Sequence, residues 1–375
     1  MMQRSSMRRF DEWLAQPPET RWEASLLNGL HLASQVYAAG VRARAWAYRQ
    51  GVFRRLSMDV PVVSIGNVTV GGTGKTPLTI FLAHYVKEHG RKPAIVSRGY
   101  LKEGRGLVIV SDGESLLVGR RQAGDEAYLT ARALPDVPVV VGPNRAMAGY
   151  VARGRFAPDI ILMDDGFQHL KVQRDLDIVV IDSTDPFGNG WTLPRGILRE
   201  PPNHLIRADL IVLTRVDQAA RLDELRAHLR TLNPGAPIIE SIHQPVSLTH
   251  YQSREELGVE ALRGARVAAL SSIGNPAAFE RTLTDLGAAL ADHWRFPNHH
   301  QYRRGPLSDL VDRARDLDAA AIITTEKDTV RFPPGFAFHI PVWVLKVKLS
   351  ITAGEDHLTR LLSLRTERTS ARMSA

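Results

Sequence analysis

The chain has 375 residues, 44% hydrophobic and 23% charged, an ordinary globular composition long enough for two domains with separate cores. The absence of cysteine excludes disulfides, thiolate metal sites and cysteine nucleophiles, and suits a reducing compartment. A formal charge of +8 and a pI near 9.9 favour anionic partners (nucleic acid, an acidic membrane surface or phosphorylated substrates) without choosing among them.

No segment approaches the roughly 20 apolar residues that span a bilayer, and the N-terminus lacks a signal-peptide core, so the chain is expected on the cytoplasmic side. After Pro17-Pro18, Thr20-x-x-Glu23 has the form of a capping box and predicts a long helix. Trp22, Leu26, Leu30, Ala33, Tyr37 and Val41 recur at helical spacing, and Arg42, Arg44, Arg49, Arg54 and Arg55 gather at the far end. Such a stripe suits a helix in the membrane interface or one packed on the protein core, and both readings stand.

Next, an apolar strand over 62–66 runs into Asn67-Val68-Thr69-Val70-Gly71-Gly72-Thr73-Gly74-Lys75-Thr76-Pro77. A glycine loop between strand and helix turns backbone N–H groups toward an anion, at the positive end of the helix that follows. Polyphosphate is the natural occupant, with Lys75 reaching the β- and γ-phosphates and Thr76 holding magnesium. Thr69 stands where the common P-loop motif has its first glycine, and Val70 where some P-loop families carry a second lysine. Pro77 is tolerated because it falls in the first helical turn.

Further strands are expected over 94–97, 139–141, 160–164, 178–182, 210–214, 238–241, 267–271, 321–325 and 342–347. They read as apolar runs, not strict alternation, which implies strands covered on both faces as in a parallel α/β sheet. The expected organisation is an N-terminal interfacial helix (1–55), a P-loop NTPase-like domain with a parallel sheet flanked by helices (56–242), and an inter-domain crossing (243–264). A smaller C-terminal α/β domain (265–350) and a terminal helix with a frayed tail (351–375) follow.

Between these elements lie the residues suited to chemistry. Asp164-Asp165 end a strand, the place where P-loop enzymes hold the acid that orients magnesium. Gly124-Asp125-Glu126 puts two acids at a helix start, where they cap the helix or, with a histidine, act as a base. Leu193 to Pro202 offers Arg195, Arg199 and Glu200 in a glycine- and proline-rich loop suited to phosphate and magnesium. Leu213-Thr214-Arg215-Val216-Asp217 resembles the guanine-reading signature of GTPases, with arginine in place of lysine. Phe296-Pro297-Asn298-His299-His300 lacks zinc-site spacing.

Taken together, the sequence resembles the tetraacyldisaccharide 4′-kinase family, the lipid A kinases of Gram-negative bacteria. The resemblance rests on Ser64 to Pro77, Ser97-Arg98-Gly99-Tyr100, Gly124-Asp125-Glu126, Asp164-Asp165-Gly166-Phe167-Gln168-His169, Pro194 to Glu200, Phe296-Pro297-x-His299-His300 and Thr324-Thr325-Glu326-Lys327-Asp328. It covers about residues 26 to 345, and the family shares the Val-Gly-Gly form of the loop. It implies transfer of the ATP γ-phosphate, with Mg²⁺, to the 4′-hydroxyl of tetraacyldisaccharide 1-phosphate, giving the bisphosphorylated lipid A precursor. In the family the acid matching Asp125 is the proposed base with the histidine matching His299, and the sequence leaves His299 against His300 open. Lys75 and Arg199 join them as catalytic groups. Positions matching Asp164, Asp165 and Glu200 are associated with magnesium, Gln168, His169 and Arg199 line the site, and Glu126 and His300 stand beside it. Asn298 replaces the acid common in the family. The resemblance also implies contact of the N-terminal helix with the cytoplasmic face of the inner membrane. The competing class is a P-loop nucleotide switch or assembly GTPase; nucleic-acid binding has no recognisable module behind it.

Overall fold

A computed structural model describes residues 20–363. The expected helix is α1, Arg21–Arg49, and its capping box is formed: Glu23 N–H donates to Thr20 Oγ1 at 3.3 Å and Thr20 N–H to Glu23 Oε2 at 3.0 Å. The face that packs on the protein runs through Leu27, Ser34, Ala38 and Ala47. That face is rotated by about one residue from the stripe read in the sequence. Ser34 and Thr192 share a 2.8 Å hydrogen bond, His31 meets the Trp191 ring edge-on, and Tyr37 donates to the Arg199 carbonyl. The opposite face leaves Trp22, Leu26, Leu32, Val36 and Trp46 exposed. The helix therefore docks on the body and still presents an apolar surface.

The remaining chain builds one sheet whose strands, in spatial order, are β11-β10-β12-β13-β8-β7-β6-β1-β5-β2-β4-β3, with β9 on β8. In the N-terminal half these are β1 (Val62–Gly66), β2 (Pro93–Ser97), β3 (Val108–Asp112), β4 (Pro138–Val141), β5 (Ile160–Asp164), β6 (Leu176–Asp182) and β7 (Leu210–Thr214). In the C-terminal half they are β8 (Ile238–His250), β9 (Glu256–Leu257), β10 (Arg266–Ser271), β11 (Ala289–Arg295), β12 (Ala321–Thr325) and β13 (Val342–Ala353). Pairing is parallel except for β3 on β4, β8 on β13 and β9 on β8. The helices that cover the sheet are α2 (Lys75–Glu88), α3 (Arg120–Ala123), α4 (Asp125–Ala133), α5 (Arg145–Phe156), α6 (Leu222–Leu232), α7 (Pro276–Asp285), α8 (Arg304–Asp316) and α9 (Glu326–Thr329).

Adjacent residues of each central strand enter different cores, as strands buried on both faces must. Val63 and Leu162 pack with Leu78 and Leu82 of α2, whereas Val62 and Ile161 pack with Met58 and Ala148 on the other side. In the C-terminal half, Leu270 and Ile322 face Leu307 and Val311 of α8, and Ala269 and Ile323 face Phe279 and Leu283 of α7.

Three features depart from the sequence reading. β3 and β11 lie at the two ends of the sheet, where a strand need not be apolar throughout, and the apolar-run criterion passed over both. The polar stretch expected to begin a crossing at His243 is the far half of β8, paired antiparallel with β13 over most of its length. These two long strands carry the sheet without a break from one half to the other. Of the tail, β13 extends to Ala353 and a helix occupies 355–363, while residues 1–19 and 364–375 of the expected terminal segments lie outside the described residues.

Candidate active site

β1 lies between β5 and β6, so its C-terminal end opens where chain connections depart in both directions, the crevice in which α/β sheets bind ligands. The loop from Asn67 to Gly74 occupies that crevice and is pinned on several sides. Asn67 Nδ2 donates to Thr73 Oγ1 at 3.1 Å, Thr214 Oγ1 to the Thr73 carbonyl at 2.8 Å, and Arg215 to the Gly72 carbonyl at 3.2 Å. Gly74 closes the loop at φ 98°, with His243 Nε2 3.0 Å from where a side chain would begin, so only glycine fits. Lys75, Thr76 and Pro77 then open α2. Val70 is placed differently from the expectation: its N–H is spent on the Ile197 carbonyl at 2.7 Å and its side chain is exposed. The 191–199 segment thus braces the phosphate loop from outside, with Thr69 bridged to Leu198.

The strand-end acids sit directly behind this loop, Ile65 of β1 standing opposite Asp164 of β5. Burial, reinforced by the charges of Glu126 and Asp165, pushes the Asp164 carboxyl up to about 7. Burial alone would also raise Asp165, but Lys75 at 3.6 Å and Arg199 at 2.8 Å draw it down to about 2. Burial in turn lowers the Lys75 ammonium, with Asp165 opposing the shift. Two neighbouring carboxylates pushed in opposite directions mark a site built for charge handling.

Across the crevice stands a second cluster drawn from both halves of the chain. Asp125 opens α4 in the N-terminal half, and its Oδ2 accepts from Arg331 Nε at 2.6 Å and lies 3.6 Å from His299 Nδ1. Against the upward push of burial, His299 and Arg331 hold Asp125 at about 2. Glu126 pairs with Lys327 at 2.8 Å, and chiefly for that reason also lies at about 2. The phosphate loop, Glu126 and Lys327 line one cleft of about 1260 Å³. His299, Asp165 and Arg215 all have positive φ, as do five other non-glycine residues among those described.

Other expected residues are placed elsewhere. His300 stacks on Phe296 with centroids 4.5 Å apart, so His299, not His300, faces Asp125. Glu200 is buried, with Oε2 accepting from His204 and Arg207, each at 2.6 Å, contacts that hold its carboxylate in place. Gln168 donates to the Asn67 carbonyl at 2.8 Å and supports the start of the phosphate loop. His169 is pushed down to about 4 by burial and the surrounding cations, Arg145 first, so its ring is neutral. Sequence reasoning missed Arg331 and Ser272; their only signal was Lys327 and Arg331 at a four-residue spacing after a strand end.

The family model described as tetraacyldisaccharide-1-P 4′-kinase matches residues 26–366. The chain belongs to this family. A curated tetraacyldisaccharide 4′-kinase from Anaeromyxobacter sp. (strain Fw109-5) is 44% identical over 342 residues, covering 91% of this chain and 92% of the relative. Another, from Syntrophus aciditrophicus (strain SB), is 38% identical over 331 residues, 86% and 88% of the two chains. The crystal structure of LpxK from Aquifex aeolicus in complex with ATP superposes with a TM-score of 0.71 at 29% identity, over 91% of this chain and 99% of that one. The α/β fold with a P-loop NTPase-like, mostly parallel sheet is therefore the fold of the family, and the kinase class follows from it.

Proposed function

We propose that this chain transfers the γ-phosphate of ATP to the 4′-hydroxyl of tetraacyldisaccharide 1-phosphate at the cytoplasmic face of the inner membrane. The observation that carries the reading is the Lys75 phosphate loop meeting Glu126 in one cleft, with Asp125, held ionised by Arg331 and His299, next to Glu126 at the start of α4. Lys75, together with the loop's backbone, would hold the β- and γ-phosphates, while Arg199 orients Asp165. The acceptor hydroxyl would donate to Asp125, which at about 2 is fully ionised near neutrality. Such a carboxylate is a weak base, and a loose phosphoryl-transfer transition state asks mainly for orientation of the attacking oxygen.

Asp164, Asp165 and Thr76 fit Mg²⁺. Burial, then the charges of Glu126 and Asp165, raise Asp164, and a cation would offset both. No cluster of three His, Asp or Glu among the described residues gathers a metal by itself, which suits an ion that takes one or two carboxylates and completes its shell with phosphate and water. When bound, it would neutralise charge on the β- and γ-phosphates.

No helix among the described residues is long and apolar enough to cross a membrane. The exposed Trp22, Leu32, Val36 and Trp46 of α1, with arginines at its end, suit peripheral attachment to an anionic leaflet. The GTPase alternative is disfavoured because Arg215, in the place of the guanine-reading lysine, is engaged by Asp182 and the Gly72 carbonyl. The test is Asp125→Asn: lipid phosphorylation should fall by roughly 100-fold or more while ATP still raises the melting temperature. Undiminished turnover would remove Asp125 from the reaction.

A further inference from the structure

Among the described residues Arg331 is the largest side chain wholly withdrawn from solvent, and no step above uses it. A buried guanidinium is retained only where its donors are matched, and here they are matched on two opposite sides. Behind it, Nη1 donates to the Ser272 hydroxyl at 2.8 Å and to the Ser272 carbonyl at 3.1 Å. Ser272 is itself fixed by Asp328, which accepts from the Ser272 N–H and hydroxyl, the Tyr302 hydroxyl and the Thr325 hydroxyl. In front, Nε donates to Asp125 Oδ2 at 2.6 Å, and Nη2 lies 3.3 Å from His299 Nδ1.

His299 Nδ1 thus faces both Arg331 Nη2, at 3.3 Å, and the Asp125 carboxylate, at 3.6 Å. Arg331 therefore orients two groups of the cluster at once, from a base in the C-terminal half, while Asp125 belongs to the N-terminal half. Ser272 also begins the loop, 272–275, between β10 and α7. In that loop the Gly274 backbone abuts Gly72 of the phosphate loop, and Asn275 donates to Asp182 at 3.0 Å, the same carboxylate that holds Arg215. One short segment touches both the phosphate loop and the anchor of Arg331.

We propose that Arg331 is a positioning residue for phosphoryl transfer: anchored on Ser272, it fixes the Asp125 carboxylate and the His299 ring relative to the phosphate loop. The inference rests on the reading of Asp125 as the group that accepts from the acceptor hydroxyl. A planar fork serves three directions from one side chain, and a lysine ammonium, which keeps the charge, serves them only in part.

The experiment compares Arg331→Met, Arg331→Lys, Ser272→Ala and Asp125→Asn with wild type, measuring kcat for lipid phosphorylation, KM for ATP, and the rise in melting temperature on adding ATP. Misplacing a reacting group by an ångström costs about 100-fold, so Arg331→Met should lose about that in kcat with KM for ATP changed less than about twofold. Arg331→Lys, which keeps the charge, should recover roughly tenfold of the loss. Arg331→Met at wild-type kcat beside an inactive Asp125→Asn overturns the proposal alone. Asp125→Asn at wild-type kcat overturns the parent reading and the proposal with it. Equal losses in the methionine and lysine variants also count against it. Should Arg331→Met lose its response to ATP, Ser272→Ala decides: a kcat lowered about five- to tenfold supports the anchor, and an unchanged kcat refutes it.

Discussion

Replacing Gly274 by alanine should uncouple nucleotide binding from transfer. The Gly274 backbone has no positive φ, so alanine is conformationally acceptable and the cost is steric. Its Cβ would lie 2.1 Å from the Gly72 nitrogen and 2.7 Å from the Gly72 Cα, backbone atoms that have no rotamer to escape into. Reaching ordinary contact at 3.4 Å requires the 272–275 loop and the phosphate loop to separate by roughly 1.3 Å, a shift that costs about 1–3 kcal/mol. A displacement of that size carries Ser272, and with it Arg331, away from the phosphate loop, and a fall of about 100-fold in transfer rate is expected. The assay is ATP-dependent phosphorylation of the lipid in detergent micelles, alongside ATP-induced thermal stabilisation, which should persist. Gly154→Ala is the matched control: it sits inside α5 with nothing within 4 Å of the added carbon, and should stabilise by about 0.5–1 kcal/mol without changing the rate. Transfer by Gly274→Ala within twofold of wild type would refute the seating of this loop on the phosphate loop.

Two further outcomes follow from the charges and the surface. Asp164 binds its proton more tightly when folded (about 7) than its ordinary value of 3.8, so its ionisation destabilises the fold as pH rises from about 4 through 7. Asp164→Asn should therefore gain up to roughly 4 kcal/mol over wild type in urea unfolding at pH 8 and nothing at pH 4, and an equal difference at both would contradict the assignment. Leu32→Glu and Trp46→Glu, on the exposed face of α1, should each weaken co-sedimentation with anionic vesicles by about tenfold or more, and leave ATP-induced stabilisation intact. Unaltered sedimentation would exclude that face from membrane contact.

The central part of this fold was legible because its strands are buried on both faces. Val62–Gly66 and Ile160–Asp164 read as unbroken apolar runs, and glycine, lysine and threonine stood at the strand-to-helix junction in the order that phosphate binding requires. What was hidden depended on tertiary context. β11, with Asp292 and His293 in its middle, does not look like a strand until it is seen at the sheet edge. The stripe on α1 was misjudged because its packed face uses Ser34 and Ala38, small residues that let the helix approach Thr192, whereas larger apolar residues point outward. The partners Asp125 and Arg331 are 206 residues apart, and nothing local in either stretch announces the other. His299 and His300 were indistinguishable as neighbours, and only the positive φ at His299 turns one toward Asp125 and leaves the other on Phe296.

The most direct test of the central claim is phosphate transfer from ATP to tetraacyldisaccharide 1-phosphate in detergent, measured for wild type and for Lys75→Ala. Lys75 opens α2, partly exposed and paired with Asp165, so its removal should take away the cation that the γ-phosphate meets, with a loss of about 100- to 1000-fold or more. Transfer by wild type that collapses in the variant is the predicted result. ATP hydrolysis without transfer to the lipid in wild type, or transfer undiminished in Lys75→Ala, would contradict the account.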